Sequence, residues 1–216
     1  MNFDAWPHSP FEIPNPWEEV VQGYEKLDKT APPAPGQTVF VGSSSIGFWP
    51  DLEHDFAPLL TFRRGYGGSQ MVDSLFFAPR VILPYRPRAV VVYAGDNDIA
   101  CGKTPEQVRD DLAALVGVVR SRLPECWFYV ISVKPSPSRE SMWPAFRQTN
   151  AAMKAFAEAT RRTRFVNVWD PMLAADGRGR PELFTPDMLH MNPDGYALWV
   201  SILKPVLLTD WNPVAA

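Results

Sequence analysis

Apolar and polar positions follow two rhythms along this chain, and the rhythms take turns. Thr38 to Gly42 reads as a short apolar strand and Leu59 to Phe62 as a weaker one. Ala89-Val90-Val91-Val92-Tyr93-Ala94 is continuously apolar, as expected of a strand covered on both faces. Trp127 to Val133 and Phe165 to Val168 add two more strands. Between them the spacing is helical: Trp17 to Lys29, with Trp17, Val20, Val21, Tyr24 and Leu27 on one face, then Met71 to Leu83, Thr104 to Leu123, Pro144 to Thr160 and Pro193 to Leu207. Phe146, Asn150, Met153 and Ala157 share a face of the Pro144 helix. Thr104 carries the clearest start signal, a cap followed by Pro105 and by Gln107 to complete a capping box. Strand and helix in alternation predict an α/β three-layer sandwich, a parallel five-stranded sheet with helices on both faces.

Pro14 and Pro16 interrupt any early element, and Ala31-Pro32-Pro33-Ala34-Pro35-Gly36 is a stiff connector. Residues 1–37 are therefore read as an N-terminal extension with one helix, 38–208 as the domain and 209–216 as a C-terminal tail. The 216 residues are enough for one ordinary domain with a substantial core.

Charge is nearly balanced, with 21 Lys+Arg against 24 Asp+Glu, which leaves no footprint for nucleic acid or an anionic membrane surface. No apolar run approaches a membrane span. The first residues, Met1-Asn2-Phe3-Asp4-Ala5-Trp6-Pro7-His8, lack the basic region and apolar core of a secretory signal, so a cytoplasmic location is expected. Cys101 and Cys126 cannot form a disulfide framework and read as small buried hydrophobes. No Cys/His cluster has zinc spacing, and neither a metal nor another cofactor is expected.

In open parallel sheets, functional groups collect in the loops beyond the C-terminal strand ends. That rule selects Gly42 to Phe48, Arg63 to Ser69, Gly95 to Gly102 and the Asp187 to His190 loop. A serine is a poor nucleophile until a base takes its proton, and a histidine serves well when a carboxylate fixes its tautomer. Asp187-Met188-Leu189-His190 offers both base and orienter, and Ser43, Ser44 and Ser45 are chemically equal candidates for the nucleophile. Glycine at 67 and 68 lets backbone approach closely, and Asn97 offers two uncharged donors for a developing oxyanion. His8 and His54 read as surface residues. Trp49, Met142, Trp143, Met188 and Met191 have bulk to wall a small pocket, though such residues more often belong to the core.

These segments resemble the four blocks of the SGNH (GDSL-type) hydrolases, over about Thr38 to Leu208. Phe40-Val41-Gly42-Ser43-Ser44-Ser45-Ile46 is similar to the Gly-Asp-Ser block, with Ser44 at the nucleophile position. Arg64-Gly65-Tyr66-Gly67-Gly68-Ser69 resembles the glycine block, and Tyr93-Ala94-Gly95-Asp96-Asn97-Asp98 resembles Gly-x-Asn-Asp. Asp187-Met188-Leu189-His190 is similar to Asp-x-x-His. The resemblance implies a flavodoxin-like SGNH fold, a triad of Ser44, His190 and Asp187, and an oxyanion hole from the backbone N–H of Ser44, the backbone N–H of Gly68 and the side chain of Asn97. Ser43 stands where the family usually has aspartate, and Arg63 where many relatives have asparagine. The first two blocks look most like the platelet-activating-factor acetylhydrolase branch, which implies removal of short acyl groups, acetyl above all, from an alcohol.

The expected function is thus a serine esterase acting on a small-molecule ester, indifferent to chelators. Two other readings stand beside it: an acyltransferase using the same acyl-enzyme, and a non-catalytic domain that binds phosphate at the serine turn.

Overall fold

The structure, a computed structural model, describes residues 15–210. His8, the first part of the expected extension and the last six residues of the expected tail lie outside the described residues. β-Branched residues are stiff at χ1 and suit a pleated, covered surface. Val90, Val91 and Val92 accordingly form the middle of β3 (Ala89–Tyr93). β1 (Thr38–Gly42) and β2 (Thr61–Gly65) lie on one side of it, β4 (Trp127–Ile131) and β5 (Thr163–Val166) on the other. All neighbouring pairs are parallel and the order is β2-β1-β3-β4-β5.

Alternate strand residues point to opposite faces. Val39, Val41, Val90 and Val92 enter a core shared with helices α4 (Met71–Val81), α6 (Pro105–Arg122) and α7 (Trp143–Ala159). Phe40, Val91 and Tyr93 enter a second core with Trp49, Phe56 and the Trp199 and Leu203 side chains of α8 (Pro193–Asp210). The expected three-layer α/β sandwich is what the chain forms. The capping box at Thr104 is present, with Gln107 N–H donating to Thr104 Oγ1 at 3.3 Å and Thr104 N–H to Gln107 Oε1 at 2.8 Å. On α7, Phe146, Met153 and Ala157 are buried, while Asn150 ties the helix to the chain after β4 by bonding both Val133 N–H and C=O.

Two elements differ from the sequence pattern. β2 begins two residues later than expected, because Leu59 turns into the second core and the strand takes in Arg63 and Arg64. Arg64 can sit inside a strand because its charge is met: Asp28 at the end of α1 (Glu18–Asp28) accepts from Nη2 at 2.6 and 2.7 Å, and the rings of Tyr24, Phe62 and Tyr85 surround the guanidinium. α1 also buries a narrower face than its spacing suggests. Trp17 and Val21 reach the first core, but Val20 and Leu27 are 40% and 66% exposed. Three short helices, α2 (Ser44–Gly47), α3 (Leu52–Asp55) and α5 (Asp96–Ala100), have too few turns to show a period.

One buried carboxylate joins two of the strand-end loops. Asp98 on α5 accepts the Met71 N–H with both oxygens, at 3.0 and 3.1 Å, so it holds the first turn of α4 just beyond Gly67 and Gly68. Lys103 donates to the same carboxylate at 3.2 Å. Burial nevertheless pushes Asp98 up to about 6, against the opposing pull of Lys103 and the Met71 N–H.

Removing Asp28 leaves the buried Arg64 charge uncompensated, so Asp28→Ala should cost about 3 kcal/mol in urea unfolding. Arg161→Ala, which breaks the exposed Arg161–Glu125 pair, should leave the midpoint nearly unchanged. Asp98 gives a signed pH test. Its folded pKa lies above the unfolded value of 3.8, so the folded state binds the extra proton and stability falls as pH rises from 4 to 6. Asp98→Asn should flatten that decline, gaining up to about 3 kcal/mol on wild type between pH 4 and pH 7. A constant difference between the two urea curves across that range would contradict it.

Candidate active site

The strand order brings three loops side by side. β2, β1 and β3 are neighbours, and their C-terminal ends lead into the Gly67-Gly68 turn, the Ser43-Ser44-Ser45 turn and the Asp96-Asn97-Asp98 turn. The middle turn is possible only with glycine at 42. Its φ is +124°, and a Cβ there would lie 1.9 Å from the Tyr93 carbonyl oxygen. That close approach lets Ser43 N–H donate to Tyr93 O at 3.0 Å while Gly42 O accepts from Tyr66 N–H at 2.9 Å. The chain then turns directly into α2 with Ser44 as its first residue.

Across the chain, the loop before α8 reaches the same place. His190 Nε2 lies 3.1 Å from Ser44 Oγ, and His190 Nδ1 lies 2.6 Å from Asp187 Oδ2. Of the three serines, Ser44 alone meets the imidazole. Ser43 and Ser45 are buried, and neither hydroxyl has a partner among the described residues. The loop closes on itself to present both groups. Met188 takes a left-handed φ of +57°, and Thr185 Oγ1 donates to Asp187 Oδ1 at 2.7 Å. The backbone N–H groups of Leu189 and His190 each donate to that oxygen at 2.9 Å. Asn192 anchors the exit, accepting Gly195 N–H at 3.0 Å in the first turn of α8 and donating to Glu182 O at 2.8 Å. Partial burial would raise the Asp187 pKa, but hydrogen bonds from His190, Leu189 and Thr185 outweigh it and hold the carboxyl far below the usual carboxylate range. At neutral pH Asp187 therefore presents an anion to the imidazole.

Gly68 and Asn97, the candidate oxyanion donors, stand in the turns that follow β2 and β3, the neighbours of β1. Gly68 has φ +78°, a backbone setting natural to glycine. Asn97 Nδ2 donates one hydrogen to Ser69 O at 3.0 Å, which ties the asparagine to the glycine turn. Its Oδ1 accepts from Arg139 Nη2 at 3.0 Å. Arg139 belongs to a segment that the sequence pattern left aside, the Lys134-to-Ser141 loop after β4. Lys134 and Arg139 are 1% and 3% exposed, and both face Asp96, at 3.2 Å from Lys134 Nζ and 3.7 Å from Arg139 Nη1. Tyr93 Oη donates to Asp96 at 3.0 Å. Burial would raise the Asp96 pKa, yet the two cations win and hold it below the usual range. The same loop also reaches the catalytic-type pair, since Ser138 N–H and Oγ–H donate to Met188 O at 3.1 and 3.0 Å.

Other expectations resolve residue by residue. Trp49, Trp143 and Met191 are buried core, and Met142 and Met188 are half-buried. Phe48, by contrast, is 52% exposed with its ring centroid 5.2 Å from that of His190, an apolar surface at the site that the spacing did not single out. Cys126 is buried; Cys101 is half-buried and its thiol pKa is raised by burial, the opposite of nucleophile activation. His54 is exposed. Arg63 reaches Pro50 O at 3.4 Å from the surface. Among the described residues no helix is long and apolar enough to cross a membrane.

The chain is similar in sequence and in fold to several known proteins. Human and bovine platelet-activating factor acetylhydrolase IB subunit alpha1 are each 28% identical to the chain over 185 residues, 80% of this chain and 75% of theirs. A GDSL-like lipase from Bacteroides thetaiotaomicron superposes with a TM-score of 0.75 at 20% identity, covering 88% of this chain and 98% of its own. The lipase/acylhydrolase from Enterococcus faecalis gives 0.68 at 18% identity, covering 83% and 100%. The model of the GDSL-like Lipase/Acylhydrolase family matches residues 36–198, more than half of the chain. With a five-stranded parallel sheet, helices on both faces and that match, the chain belongs to the GDSL-like lipase/acylhydrolase family and is a carboxylic ester hydrolase.

Proposed function

We propose that the chain is a serine esterase that removes short acyl groups, acetyl foremost, through Ser44, His190 and Asp187. The observation that carries this reading is the hydrogen-bonded chain from Asp187 through His190 to Ser44, with links of 2.6 and 3.1 Å. In the proposed cycle His190 Nε2 takes the Ser44 proton as Oγ attacks the ester carbonyl carbon. Asp187 keeps the proton on Nδ1 and stabilises the imidazolium that forms. The carbonyl oxygen, now an anion, accepts from Ser44 N–H, Gly68 N–H and the second Asn97 Nδ2 hydrogen. His190 then protonates the leaving alcohol, and a water activated by the same imidazole releases the acid. The names of the acetylhydrolase relatives support an acetyl preference, and Phe48 beside His190 offers the apolar contact a small acyl or alkoxy group would use.

The test is hydrolysis of p-nitrophenyl esters from acetyl to decanoyl. Turnover should be highest on acetate and fall with chain length. Ser44→Ala should lower kcat by about 10⁴-fold or more, and Asp187→Asn by a comparable factor of about 10⁴. Asn97→Ala should lose about 10²–10³-fold with KM little changed. Undiminished turnover in Ser44→Ala would overturn the assignment of the nucleophile, and a decanoyl optimum would overturn the short-acyl preference.

A further inference from the structure

An asparagine side chain helps an oxyanion only when its NH₂ faces the reacting oxygen; rotated by 180°, it presents a carbonyl that repels the developing charge. Asn97 sits between two partners that cannot exchange roles. Ser69 O can only accept, and it takes one Nδ2 hydrogen at 3.0 Å. The Arg139 guanidinium can only donate, and its Nη2 meets Oδ1 at 3.0 Å. A flip would set donor against donor and acceptor against acceptor, both in a site where Asn97 is only 7% exposed.

We propose that Arg139 is a positioning residue for the oxyanion hole, fixing the Asn97 amide with its free N–H turned toward the ester carbonyl. This rests on the esterase reading above and extends it to a residue outside the four sequence blocks. The loop around Arg139 is built to hold that contact. Arg139 N–H donates to Ser136 O at 3.0 Å, and Lys134 shares the Asp96 carboxylate at the base of the cluster. Next to Arg139, Ser138 braces the Asp187-to-His190 loop through Met188 O, so one loop registers the donors against the base.

The experiment is a double-mutant cycle on p-nitrophenyl acetate, with thermal unfolding of every variant. Arg139→Met should lower kcat by about 10- to 100-fold with KM within about twofold of wild type. In an Asn97→Ala background the same change should cost less than about twofold, because no amide remains to be oriented. Arg139→Lys, which keeps charge and a donor, should recover part of the loss and supplies the test if Arg139→Met does not fold. Equal losses in both backgrounds, or unchanged kcat in a folded Arg139→Met or Arg139→Lys variant, would overturn the proposal. If Ser44→Ala abolishes turnover while the Arg139 variants leave it intact, the esterase reading stands and this inference alone fails. If Ser44→Ala retains turnover, both fall.

Discussion

Gly42 has no room for a side chain, and the arrangement around Ser44 depends on that. The backbone of β1 runs so close to the Tyr93 carbonyl that even a methyl group would overlap it, and its φ of +124° suits only glycine. The contact locks the ends of β1 and β3 together at the point where chain connections leave in opposite directions, β2 to one side and β4 to the other. In a parallel sheet such a point opens a crevice beyond the strand ends. Ser44 stands on one lip of it and Asn97 on the other, and the glycine turn after β2 completes the row. The fold therefore fixes Ser44 and Asn97 through a stiff sheet, and only the His190 loop has to be brought in from a distance.

Electrostatics is divided along the same line. On the solvent side, Asp187 is 49% exposed at its side chain, and hydrogen bonds hold its charge against the opposing effect of partial burial. On the sheet side, Asp96, Lys134 and Arg139 are buried together, and the Asp96 carboxylate faces both cations. A buried ionic cluster is weak evidence for stability, but this one touches Asn97 directly. Its cost in desolvation makes sense where an amide must be kept in one of two nearly isosteric orientations. Asp98 shows the opposite bargain: burial without full compensation, and a carboxyl that titrates near 6 as a result.

The sequence made the sheet and the four chemical blocks legible because both are local. Apolar runs marked β1 and β3, and Thr104, Pro105 and Gln107 marked the start of α6. β2 was shifted because the pattern could not foresee Arg64 inside a strand; its partner Asp28 lies 36 residues away. By chemistry alone the three serines were equal, and only the resemblance singled out Ser44, because the distance to His190 that separates it from its neighbours spans 146 residues of chain. Lys134 and Arg139 stand in Lys134-Pro135-Ser136-Pro137-Ser138-Arg139, a stretch of prolines and serines with neither strand nor helix period. Applying the strand-end rule to β4 as well as to β1, β2 and β3 would have drawn attention there.

The exposure of the site bears on where an acyl group held on Ser44 would go. Transfer to an alcohol outruns hydrolysis only when the pocket keeps water from the base and holds the acceptor in its place. Here the His190 side chain is 18% exposed, its Asp187 partner is more open still, and Phe48 at its edge is half in solvent. Water can reach the imidazole without displacing any described side chain. Asp96, Lys134 and Arg139, by contrast, are buried next to Asn97. An imidazole open to water among the described residues would favour hydrolysis over transfer for an acyl group carried on Ser44.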